Sequence, residues 1–177
     1  LTNINHEIPD GFYEEKNMVS TVVPNRNAIF LSIIYGYALT ISKNNPKSSI
    51  HLSLGAHSGD HAIYPDCRLE FYNHIIDSFK IGNWDTEKIS LYLPYINIDK
   101  AEILKDALKS TKLLNLNFNQ IFKNTITSYE PLENGFSDGK TGSDIERILA
   151  FDKIGMKDPL KYNFSWEKVL MNAKEAV

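Results

Sequence analysis

The chain has 177 residues, a formal charge of −3 and a pI near 6.0, so it lacks the basic excess that a nucleic-acid binder carries as its electrostatic footprint. With 42% hydrophobic and 11% aromatic residues it can bury a core, which excludes a disordered or fibrous chain and predicts one domain with a small appended lobe. A single cysteine, Cys67, excludes an intramolecular disulfide framework and fits a reducing compartment.

Leu1 to Val22 is polar and carries Pro9, Asp10 and Gly11, which predicts a loop. No signal-peptide pattern opens the chain, the cytoplasm is the expected location, and Leu1 in place of Met suggests that the natural beginning is missing. After Pro24-Asn25-Arg26-Asn27, the residues Ala28, Ile29, Leu31, Ile33, Ile34, Ala38 and Leu39 are apolar almost all round, which predicts a helix buried on most faces. Ser32 and Gly36 interrupt that stretch, so it does not read as a membrane span.

Ile50 to Leu54 has strand length and ends at Gly55. Phe71, Ile75, Ile76 and Phe79 recur at helical spacing, and Ile89 to Leu93 reads as a second strand. Asp99-Lys100-Ala101-Glu102 has the spacing of a capping box and opens another helix. Alternating strands and helices predict an α/β fold with a parallel sheet. Ligands of such sheets gather beyond the carboxyl ends of the strands, here the loops 55–68 and 94–99. Toward the C-terminus, Ser143 to Glu146 reads as a capping box for a helix stopped by Gly155, and Ser165 as the cap of a last helix. Trp84 and Trp166 read as packing residues, and Cys67 as a small buried residue without a partner base.

The densest group of chemically able residues is Gly55-Ala56-His57-Ser58-Gly59-Asp60-His61-Ala62-Ile63-Tyr64-Pro65-Asp66-Cys67-Arg68. On spacing alone it reads first as a solvated loop whose Asp60 and Asp66 cap turns. Its segment Tyr64 to Arg68, followed by Glu70-Phe71, resembles the YPDCRxEF signature of 7-cyano-7-deazaguanine synthases, the QueC family of the PP-loop ATP pyrophosphatases. Pro24 to Asn27 is similar to that family's PxRN motif. Lys100 to Ile103 resembles its KAEI, Thr125 to Tyr129 its TxSCY, Glu146-Arg147 with Ala150-Phe151 its ERxxAF, and Asp158-Pro159 with Tyr162 its DPxxY. Leu1-Thr2 with Ile8-Pro9 matches the middle of a family member.

The resemblance implies an incomplete Rossmann-like fold of the adenine nucleotide alpha hydrolase type, with residues 1–125 as part of the nucleotide-binding domain and 126–177 as a small helical lobe. It implies ATP-dependent conversion of 7-carboxy-7-deazaguanine and ammonia to 7-cyano-7-deazaguanine, with ATP and Mg²⁺ as cofactors and small molecules as partners. Nucleic acid and membranes are not expected; a homodimer, or a second chain supplying the N-terminal half, is. The carried-over residues are Asp66, Arg68 and Lys100 for catalysis, Gly55 and Asp60 for the nucleotide, and Arg26, Asn27 and Tyr64 for the substrate. The alternatives are a relative in a defence system acting on another acceptor, and a degenerate, non-catalytic member of the family.

Two family elements have no counterpart in these residues. No Ser-Gly-Gly-x-Asp-Ser loop occurs, so the backbone amides that would cradle ATP phosphates are lacking and this chain alone is not expected to turn over ATP. The family's four zinc cysteines fall on Ser128, Asp138, Thr141 and Asp144, hydroxyls and carboxylates in place of thiolates, so zinc is not expected. Phe136, Ile145, Ile148, Leu149 and Phe151 are available to hold that lobe by packing.

Overall fold

The computed structural model describes Asp10, Gly11 and residues 16–177. The loop expected over Leu1 to Val22 lies largely outside the described residues, as does the match at Leu1-Thr2 and Ile8-Pro9; within that span Lys16–Thr21 form a short 3₁₀ helix. The fold is mixed α/β and divides into two compact units: residues 23–97, and residues 98–177 together with those before 23.

Residues 23–97 hold the sheet. Helix α1, Arg26–Asn44, is followed by β1, Ile50–Ser53, α2, Leu69–Ile81, and β2, Ile89–Tyr92. The two strands pair in parallel, with Ile50 opposite Ile89 and Leu52 opposite Leu91. A crossover through α2 is what a parallel pair requires. Period-two alternation puts Ile50, Leu52, Ile89 and Leu91 in one core with Tyr35 and Ala38 of α1 and Ile76 and Phe79 of α2. His51 and Ser90, paired across the sheet, share a 2.7 Å hydrogen bond in an exposed position.

The expectation that α1 is buried on most faces is corrected. Its buried residues are Asn27, Leu31, Tyr35, Ala38 and Ser42, a single stripe at helical spacing, while Ile29, Phe30, Ile33 and Tyr37 are exposed. A two-stranded sheet and one neighbouring helix offer α1 only one packing surface within this unit. Trp84 also departs from its packing role: it is 91% exposed in the turn that follows α2.

The second unit is helical: α3, Lys100–Leu113, α4, Phe118–Lys123, α5, Gly142–Lys153, and α6, Trp166–Glu175. Asp99 caps α3 by accepting the Glu102 amide, and Ser165 caps α6 by accepting that of Lys168. The cap of α5 differs from the expected Ser143. Thr141 accepts the Asp144 amide, because the Ser143 hydroxyl donates instead to the Thr127 carbonyl at 2.8 Å. Glu146 takes the Lys100 ammonium at 2.6 Å.

Ala101, Leu104, Phe118, Ala150 and Phe151 form one core of this unit, and Ile145, Ile148, Val169 and Ala173 another. Trp166 packs against both. Gly139 holds φ +77°, where a side chain is strained, and a Cβ there would lie 3.2 Å from Ile148 and Val169, a contact that would require those side chains to shift. Among the described residues no helix is long and apolar enough to cross a membrane.

Candidate functional site

The chain leaves β1 through Leu54 and Gly55 and folds the following loop into two 3₁₀ turns, Ser58–Asp60 and Pro65–Cys67. The His57 ring caps the first turn: its Nδ1 accepts the Gly59 amide at 3.1 Å, while its Nε2 lies 3.6 Å from the Asp60 carboxylate. Proline at the start of the second turn supplies a preset φ and no orphaned N–H.

The start of α1 is tied to this second turn. Asn25 takes the left-handed conformation at the helix N-cap and makes no side-chain cap bond. Asp66, thirty-nine residues along the chain, supplies the missing acceptor: its Oδ2 receives the Asn27 amide at 3.3 Å, where the helix dipole favours a carboxylate. The Asn27 side chain donates to the Asp66 carbonyl at 3.1 Å and to Cys67 Sγ at 3.4 Å. The PxRN-like and YPDCR-like segments thus interlock through a buried asparagine. Above it, the Arg26 guanidinium lies 6.0 Å from the centroid of the buried Tyr64 ring, within cation–π range.

Between these segments is a cavity of about 210 Å³ lined by Arg26, Asn27, Leu54, Gly55, Ala56, Asp60, Cys67 and Tyr72. A Cβ built on Gly55 would meet nothing within 4 Å, so its backbone faces open space and a ligand can approach it closely. Arg26, Asn27, Gly55 and Asp60 are therefore brought together as cavity wall. Tyr64 lies beneath Arg26, and Asp66 stands behind Asn27. Arg68 is exposed and anchored by its Nε to the His61 carbonyl at 2.8 Å. Lys100 belongs to the other unit, where Glu146 holds it. His57 and Tyr72 are the residues that sequence reasoning missed; the first sits inside the Gly55–Asp60 stretch, the second is a helix residue with no motif to mark it.

Burial, reinforced by the Asp60 and Asp66 charges, pushes the Cys67 thiol up to about 12. At neutral pH it is a protonated, buried group and no nucleophile.

In the second unit the family-like motifs converge on one guanidinium. Arg147, 3% exposed, forms a two-pronged pair with the buried Asp158, its Nη2 reaching Oδ1 at 2.8 Å. It also donates to the Thr125 carbonyl and hydroxyl and to the Phe122 carbonyl. Tyr162 donates its hydroxyl to Asp158 at 2.8 Å. The TxSCY-, ERxxAF- and DPxxY-like residues Thr125, Arg147, Asp158 and Tyr162 are parts of a single structural network.

The positions aligned with zinc ligands form a different arrangement. Asp144 is fully buried and accepts the Thr141 hydroxyl at 2.7 Å. Asp138 instead accepts the Lys140 amide and lies 3.4 Å from the Lys140 ammonium. Ser128 accepts the Glu130 amide. Hydroxyls and carboxylates already engaged in turns and caps do not fit a soft tetrahedral zinc site. Among the described residues no group of three or more histidine, cysteine or carboxylate side chains is placed to hold a metal.

Burial raises the Asp144 pKa above the usual carboxylate range, against the Thr141, Ser137 and Ser128 hydroxyls that favour its ionised form. An acid whose folded pKa exceeds its unfolded one binds protons on folding, so its contribution to stability is fully present below the unfolded pKa and is lost as pH rises through the folded pKa. Asp144→Asn should remove that dependence: thermal midpoints measured from about pH 8 down to pH 5 should rise less steeply in the variant than in wild type.

Comparison with known proteins identifies the family. The family model for queuosine biosynthesis protein QueC matches residues 1–155. Over 156 residues, 88% of this chain, the sequence is 42% identical to 7-cyano-7-deazaguanine synthase 1 of Colwellia psychrerythraea. It is 40% identical over 162 residues to the 7-cyano-7-deazaguanine synthase of Psychromonas ingrahamii, and 42% identical over 156 residues to that of Hahella chejuensis. The matched residues span 63%, 65% and 60% of these three relatives. No solved structure gives a significant match. The chain belongs to the QueC family.

Proposed function

We propose that this chain carries the acceptor-binding part of an enzyme that converts 7-carboxy-7-deazaguanine and ammonia to 7-cyano-7-deazaguanine at the expense of ATP. The observation that supports this reading is the interlocked cavity at the start of α1, whose wall combines a cation, a carboxylate and an approachable glycine backbone. A carboxylate is a poor electrophile: one ATP-driven activation would let ammonia displace the first oxygen to give the amide, and a second would remove the amide oxygen as the nitrile forms, each oxygen leaving on the nucleotide. Arg26 holds the anionic group of the substrate by charge-assisted hydrogen bonds. Asp60, beside His57 at the end of the glycine-containing loop, serves the nucleotide or Mg²⁺ side. Asn27 and Asp66 fix the wall through the hydrogen bonds between them. Arg68 acts at the rim. At about 210 Å³ the cavity is smaller than the roughly 300–1,000 Å³ of a site for a whole drug-sized ligand. It therefore takes one part of the reacting pair.

The test is mass spectrometry of the products formed by the full protein from 7-carboxy-7-deazaguanine, ATP and ammonia. Formation of 7-cyano-7-deazaguanine is expected; a different product from the same substrates points to another acceptor, and no ATP-dependent product at all contradicts an enzymatic role.

We further propose that residues 126–177, the counterpart of the family's zinc-binding region, fold without zinc. The engaged hydroxyls and carboxylates described above support this. Elemental analysis of untagged protein should find zinc well below one equivalent; a full equivalent retained through mild chelation would overturn the proposal.

A further inference from the structure

Tyr72, in the second turn of α2, is the one large polar residue of the cavity wall for which no sequence motif predicts a role. Its side chain is fully buried, with 0% exposure. Its ring packs edge-on against Phe71, with centroids 5.4 Å apart. Its hydroxyl has no hydrogen-bond partner among the described residues. That is a costly arrangement: a buried hydroxyl left unpaired forfeits the bond it made to water, and natural folds avoid this unless the group serves another purpose. The same residue lines the cavity with Arg26, Asn27, Asp60 and Cys67.

We propose that Tyr72 is a ligand-binding residue whose O–H donates into this cavity, to an acceptor oxygen of the anionic group held by Arg26. The inference rests on the reading of the cavity as the substrate site. A phenol suits the task because it stays a donor. Burial raises its pKa further, with Cys67, Asp66 and Asp60 acting in the same direction, so the proton remains on the oxygen at any pH at which the protein works. Arg26 on the same wall supplies the positive charge that a phenol lacks. A ligand bearing a carboxylate or a phosphate meets both groups at once. One lacking an acceptor leaves the hydroxyl buried and unpaired, which is how a hydrogen-bonding site rejects a near isostere.

The experiment is calorimetric titration of the full protein and of Tyr72→Phe with 7-carboxy-7-deazaguanine and, separately, with AMP, alongside thermal midpoints of both proteins without ligand. Phenylalanine keeps the ring and its packing. The expected result is an unchanged or raised midpoint, since an unpaired polar group has been removed, together with roughly tenfold or greater weakening of one ligand. The ligand affected identifies the oxygen: weakening of the deazaguanine assigns a carboxylate, weakening of AMP a phosphate. Unchanged affinity for both overturns the assignment to Tyr72 while leaving the cavity as the site. A midpoint lower by several degrees also overturns it, because the hydroxyl would then be used within the fold. If the wild type binds neither ligand, the reading of the cavity as the substrate site fails, and this inference fails with it.

Discussion

Arg147→Met should destabilise the unit formed by α3 to α6 by about 3–5 kcal/mol, the cost of leaving the partner of a buried ion pair uncompensated. The side chain is 3% exposed, and its removal strips Asp158 of its charge partner and the Thr125 and Phe122 carbonyls of their donors. Methionine fills much of the space, so the loss is one of charge and hydrogen bonding and not of volume. Denaturant unfolding followed by circular dichroism checks the value. The double variant Arg147→Met with Asp158→Leu should recover part of the loss, because no unpaired carboxylate remains. It should not recover all of it, because the two carbonyls still lack a donor. A loss below about 1 kcal/mol for the single variant would place the pair among exposed ion pairs and contradict its burial.

The second large effect separates binding from stability at two adjacent residues. Arg26→Ala should weaken 7-carboxy-7-deazaguanine binding by roughly 10- to 100-fold, the range expected for one charge-assisted hydrogen-bonding group. It should leave the unfolding midpoint almost unchanged, since among the described residues Arg26 makes no ion pair and rests against the face of Tyr64. Asn27→Ala should do the opposite first. It removes the donor to the Asp66 carbonyl and Cys67 Sγ and should cost about 1–3 kcal/mol. Titration calorimetry and thermal melts on both variants provide the comparison. An Arg26→Ala protein that binds as wild type does would remove Arg26 from the site.

What the sequence made legible follows its local signals. The strand at Ile50, the strand at Ile89 and the helix opened by Asp99 were all readable, because apolar alternation and side-chain caps act within a few residues. The short helix α4 was missed, although Asn117 caps it by accepting the Gln120 amide, an acceptor-x-x-Gln spacing that could have marked it. The burial of α1 was misjudged because composition shows what a helix could bury and not how many surfaces lie near it. The cap of α5 was shifted by two residues because Ser143 is drawn to a carbonyl sixteen residues away.

At the candidate site, the resemblance marked segments that line the cavity but did not sort the residues within them. Asn27 and Asp66 look like ligand-binding residues in a motif, yet they bond to each other across thirty-nine residues of chain. Arg147, absent from the carried-over site residues, proves to be the hub of its unit. Tyr72 carried no signal because an unpaired hydroxyl is a property of three-dimensional surroundings alone.

The most direct test of this account is the location of bound ligand. Amide resonances of labelled protein should be followed by NMR as 7-carboxy-7-deazaguanine is added. The account predicts saturable shifts concentrated at Asn27, Gly55, Ala56, Asp60 and Cys67, the backbone around the cavity. Absence of saturable shifts, or shifts confined to residues 100–177, would contradict it.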